Sequence, residues 1–143
     1  MKNFHFPLER VLGWRRAELE RAEVLFKQQA SVLAGIDREA AEAAAAERRM
    51  EIQVRTWRPV WGGDLAALGA FRLATQKREA VLEARRSEVQ QELSKRHATM
   101  LEARRKVRLL ERLQDRRLTE WRAQCDRELE QEAAEAYLAG WGR

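Results

Sequence analysis

The stretch Trp57-Arg58-Pro59-Val60-Trp61-Gly62-Gly63-Asp64 decides the fold. It puts a proline, a glycine pair and a helix-capping acid between two long tracts, and the only other proline in the chain is Pro7. Such a sequence stops one helix and starts the next. Upstream, steps of seven from Leu12 land on Leu12, Leu19, Phe26, Leu33, Ala40, Glu47, Val54 and Trp61. The companion series runs Leu8, Arg15, Ala22, Gln29, Ile36, Ala43, Met50 and Trp57. Only Glu47, Arg15 and Gln29 break the apolar pattern, and Arg and Glu crowd the flanks, which is the signature of a coiled-coil strand. Pro7 suits a helix start, because its missing N–H would be unpaired in the first turn in any case.

Downstream, Leu65 to Leu138 holds no proline and one glycine, Gly69, so a second and longer helix is expected. Its seam reads Leu82, Val89, Leu93, Met100, Val107 and Leu110, then Leu118, Trp121, Cys125 and Leu129. The later spacing drifts from three-four toward three-four-four, which relaxes or reverses a supercoil. The expected fold is all-α: two long helices in an antiparallel coiled-coil hairpin, the second longer, with helix 1 over about 7–57, the turn at 58–64 and helix 2 over about 65–138. Such helices would span about 75 and 110 Å.

Folding near residue 60 pairs positions whose numbers sum to roughly 121. Leu12 then falls near Leu109 and Leu110, Leu33 near Glu88 and Val89, and Ala40 near Val81 and Leu82. The alanine-rich run from Glu39 to Glu47 puts small side chains on the seam, allowing close helix approach there. Trp57 and Trp61 are expected to clasp the turn. Phe4 and Phe6 are expected to staple the first helix onto its own start and onto helix 2. Past about residue 115, helix 2 is expected to lack a partner from its own chain while still carrying Leu118, Trp121, Cys125, Leu129 and Tyr137. That stripe implies another protein or weak self-association.

The 143 residues suit one architectural unit, and 36% charged with 7% aromatic residues argues against turn-rich all-β folds. The single cysteine, Cys125, excludes an internal disulfide framework or a cysteine zinc cage, and a cytoplasmic setting is expected. No secretory leader or membrane span is read in the chain. Cys125 reads as a packed seam residue.

No catalytic constellation stands out, so the chain is not expected to be an enzyme, and neither a cofactor nor a metal site is expected. Gly62-Gly63 leads into Asp64 rather than a phosphate-loop lysine, and His5 and His97 belong to no metal spacing. The abundant carboxylates read as helix-face partners of arginine, as with Glu79 and Glu83 beside Arg78 and Arg86.

Charge is unevenly distributed. Residues 72–122 hold fifteen basic and eight acidic side chains, whereas 123–143 hold two and five, which makes the middle of helix 2 the positive region. Its densest part is Ala103 to Leu118, and an acidic protein surface is the expected partner. Glu111, Asp115 and Glu120 would repel phosphates, so no specific nucleic acid is expected. A solvated face is the bland alternative. Leu65, Leu68, Phe71 and Leu73 form a second apolar group that could dock elsewhere.

The opening Phe4-His5-Phe6-Pro7-Leu8-Glu9-Arg10-Val11-Leu12 and the later Ala103-Arg104-Arg105-Lys106-Val107-Arg108-Leu109-Leu110-Glu111-Arg112-Leu113, with Arg116-Arg117, resemble the flagellar export protein FliJ family. The resemblance spans essentially the whole chain, although the Trp- and Gly-rich turn and the ending Gly140-Trp141-Gly142-Arg143 depart from it.

It implies a stalk-like coiled coil of the flagellar type III export apparatus, cytoplasmic and peripherally associated with the membrane machinery. The implied partners are a hexameric export ATPase, the export gate membrane protein and export chaperones. Carried over, the ATPase-facing residues are Phe4, Phe6, Leu8, Arg104, Arg105, Arg108, Arg112, Arg116, Arg117 and Trp121, and the gate-facing ones Phe71, Thr75, Arg78 and Leu82. The equivalent stalk of a non-flagellar type III system, a basic coiled-coil nucleic-acid-binding protein and a self-assembling filament are the alternatives.

Overall fold

A computed structural model describes residues 2–57 and 61–142. Two helices, α1 (Glu9–Arg55, 47 residues) and α2 (Gly62–Trp141, 80 residues), form an all-α hairpin, and the described residues contain no strand. The helices contribute to two compact units: residues up to Arg21 with those from Leu101 onward, and Ala22–Met100.

In the first unit α1 and α2 pack antiparallel around Phe6, Leu12 and Val107, with Phe4, Leu19, Leu110 and Leu113 against them. Leu12 is 1% exposed. Of the two leucines expected opposite it, Leu110 turns inward and Leu109 outward, because consecutive helical side chains differ by about 100°. Arg16 reaches across to Glu111 at 3.1 Å. Arg15, a polar intruder in the heptad pattern, turns its guanidinium over the Trp14 ring and onto Glu18.

In the second unit Ala22, Ile36, Ala43, Leu82 and Met100 are buried, and the helices again run antiparallel. The rings of Phe26 and His97 lie 5.4 Å apart, and Arg86 Nε donates to Asp37 Oδ1 at 2.7 Å. Both pairs sit two residues further along α2 than a turn centred near residue 60 places them. Gln29, another polar seam residue, donates its amide N–H to the Val89 carbonyl. Arg86 therefore finds its carboxylate across the seam, on Asp37, rather than on its own helix, and that hydrogen bond raises its already high pKa.

The termini of the helices differ from expectation. Helix 1 begins at Glu9, because Glu9 N–H bonds the Phe6 carbonyl and leaves Pro7 and Leu8 in the preceding turn. It ends at Arg55, where Thr56 and Trp57 close a tighter turn and the Thr56 hydroxyl donates to the Gln53 carbonyl. Helix 2 starts three residues early: Gly62 and Gly63 belong to its first turn, and Asp64 accepts the Trp61 N–H at 3.2 Å. Asp64 thus caps from inside the helix, in the back-reaching role of a capping box. Trp61, expected on the seam and in a clasp, is 70% exposed. Arg58, Pro59 and Val60, at the centre of the expected turn, lie outside the described residues.

Candidate partner-binding surface

The first unit gathers the residues singled out in both opening and basic segments. Residues 2–8, ahead of α1, lie along α2 as far as Gln124, and Phe4 meets Trp121 with ring centroids 5.9 Å apart. This corrects the expectation that α2 goes unpartnered from about residue 115. The covering segment lies outside both helices and needs no periodicity of its own. From Asp126 through Gly142 every residue is exposed.

Between that segment and α2 lies a groove of about 670 Å³, lined by Phe4, Phe6, Leu8, Leu113, Arg117 and Trp121 with Lys2, His5, Glu120 and Gln124 at its polar rim. Phe6 is itself buried and holds the segment down, leaving the more open Phe4, Leu8 and Trp121 to face a ligand. Arg117 is tied to Glu120 at 3.4 Å.

A second groove of about 300 Å³ is lined by Arg104, Arg105, Arg108 and Arg112 together with Leu101 and Leu109. Arg105 leans on Glu102 at 3.7 Å, and Arg104 is half-buried. Arg116 is exposed beside neither groove. Nine of the ten residues expected to face one partner thus divide between an aromatic groove and an arginine groove, and Arg116 belongs to neither. Leu101 and Leu109, eight apart on the outward face, were not foreseen as part of either; their common spacing with Arg105, Arg108 and Arg112 was the available signal.

The second expected group lies in the other unit and divides by burial. Thr75 and Leu82 are buried on the seam, Thr75 turning its hydroxyl onto the Phe71 carbonyl at 2.9 Å. Phe71 is half-buried and Arg78 exposed, so these two alone offer surface.

Arg15 sets the electrostatics beside the first core. Its hydrogen bond to Glu18 holds that carboxyl below its ordinary 4.5, against a smaller opposing effect of desolvation and with help from the charges of Arg15, Lys106 and Arg21. A depressed carboxylate contributes stability above its unfolded value and loses it as pH falls through the lower folded value. Glu18→Gln is therefore expected to lower the melting temperature slightly at neutral pH. That difference should fade as pH falls from 4.5 through the lower folded value, as followed by circular dichroism, and shrink in high salt because the pair is only half-buried.

Among the described residues no cluster of three or more His, Cys, Asp or Glu side chains could hold a metal ion, and no helix is long and apolar enough to cross a membrane. The chain matches no protein-family model, no curated protein and no solved structure.

Proposed function

We propose that the chain is the stalk-like coiled coil of a flagellar type III export apparatus. In this reading its first unit binds the hexameric export ATPase and its second contacts the export gate membrane protein, with an escort role toward export chaperones. The protein is then cytoplasmic and peripheral to the membrane machinery, and the ATP chemistry belongs to the ATPase.

One observation carries the reading. The two segments that resemble the FliJ family, Phe4 to Leu12 and Ala103 to Leu113, share one core through Phe6, Leu12 and Val107 and present an arginine face beside it. A single stalk in a six-subunit ring meets its partners in mismatched symmetry, so adaptable charge contacts suit it better than one tight pocket. Arginine's forked guanidinium provides such contacts to carboxylates at several angles. A stalk that binds the assembled ring more tightly than free subunits draws the subunits into the ring.

The test is the ATPase rate and hexamer fraction of the cognate export ATPase with and without the protein at physiological salt. Stimulation with ring formation is expected, and its absence overturns the proposal. Reversing Arg104, Arg105, Arg116 and Arg117 to Glu is expected to raise the half-stimulating concentration about tenfold or more with helix content unchanged. Loss of helicity in that variant would assign the cluster to folding instead.

A further inference from the structure

On α2, the face opposite buried Ala103 and Val107 and half-buried Leu110 is exposed without a break from Leu101 to Trp141. Steps of three and four residues along it pass Arg105, Arg108, Arg112 and Arg116, then Thr119 and the exposed Arg122, then Asp126 and Glu130. Among the described residues Arg108, Arg112, Arg116, Asp126 and Glu130 form no ion pair. Apolar side chains stand exposed at both ends: Leu101 and Leu109 (54%) at one, Tyr137 (64%), Leu138 and Trp141 (77%) at the other. The Tyr137 and Trp141 rings already lie 6.0 Å apart, forming one apolar platform.

Such a face is complementary to itself. Turned end over end about Thr119, a second copy brings its acidic half onto the basic half of the first, Glu130 against Arg108 and Asp126 against Arg112. The same rotation lays Tyr137 over Leu101. A two-fold axis repeats every one of these contacts. A parallel pairing would instead set like charges together, so charge alone selects the orientation. The apolar ends add burial that a purely ionic contact lacks.

We propose that the chain associates with a second copy through this face, as an antiparallel two-fold dimer centred near Thr119. The proposal does not depend on the stalk reading. Where both hold, the dimer covers arginines assigned to the ATPase, and the two assemblies exclude each other.

Sedimentation equilibrium of the full chain over micromolar concentrations, at low and high salt, tests it. A monomer–dimer equilibrium weakened by salt is expected. Arg108→Glu with Arg112→Glu, and separately Asp126→Arg with Glu130→Arg, should each raise the dissociation constant about tenfold or more, since each sets like charges opposite one another. Mixing the two variants should restore association as a heterodimer, because positions 108 with 130 and 112 with 126 then carry opposite charges in both directions. All these side chains are exposed, so circular dichroism should show unchanged helicity. A monomer at every concentration, a dimer indifferent to both reversals, or a mixture that stays monomeric overturns the proposal.

Discussion

Leu12→Ala is expected to destabilise the first unit by about 2–3 kcal/mol. Leu12 is the most deeply buried large side chain described, and it touches a core built from only two helical segments and the non-helical segment ahead of α1. Its truncation removes contacts to Phe6 and Val107 together, and neither neighbour has a second layer behind it to move inward. A thin core lets water reach the gap, which keeps the cost toward the lower part of the range known for buried leucines. Hydrogen exchange provides the readout: amides of α1 before Arg21 and of α2 after Leu101 should open at least tenfold more often, an increase of the size this free-energy change implies. Leu109→Ala is the control. Leu109 is half exposed, so its truncation should cost no more than about 0.5 kcal/mol. Equal losses in the two variants would mean that Leu12 is not the centre of the core.

The contrast between Leu109 and Leu110 also marks how far sequence reasoning reached. The heptad pattern of α1 was legible because large apolar side chains recur on it, and Leu12, Ala22, Ile36 and Ala43 are indeed its buried positions. On α2 the seam was only partly legible. Thr75 and Ala103 are buried, but one is polar and the other small, so neither interrupts a polar tract strongly enough to reveal a face. The doublets Val81-Leu82 and Leu109-Leu110 offer two apolar choices at one level, and only the helix phase, set by more distant contacts, selects the inward member. The turn residues misled for a local reason: glycine reads as a helix stop, yet Gly62 and Gly63 follow Trp61, whose N–H finds the Asp64 carboxylate, and a first turn so capped tolerates glycine. The segment over residues 2–8 was the least legible part of the candidate surface. A non-helical segment has no helical period, and its role rests on long-range contacts between Phe4 and Trp121 and between Phe6 and the core.

Ala43→Leu is expected to destabilise the second unit by about 1–3 kcal/mol, whereas Ala41→Leu should stay within about 0.5 kcal/mol. The two alanines stand two positions apart in the same run, yet Ala43 is buried on the seam and Ala41 is exposed. Leucine and alanine are both strong helix formers, so intrinsic propensity predicts little difference between the sites. What separates them is space. At the buried position three added carbons must fit where a small side chain now lies between the helices, and they can do so only by pushing the backbones apart or forcing strained rotamers. At the exposed position the same atoms enter water. Thermal unfolding of the two variants, compared with the parent chain, measures the difference directly. If both substitutions are neutral, the alanine run serves helix formation alone and the helices do not depend on a close approach there; a loss confined to Ala43→Leu shows that the small side chain sets the spacing of the seam.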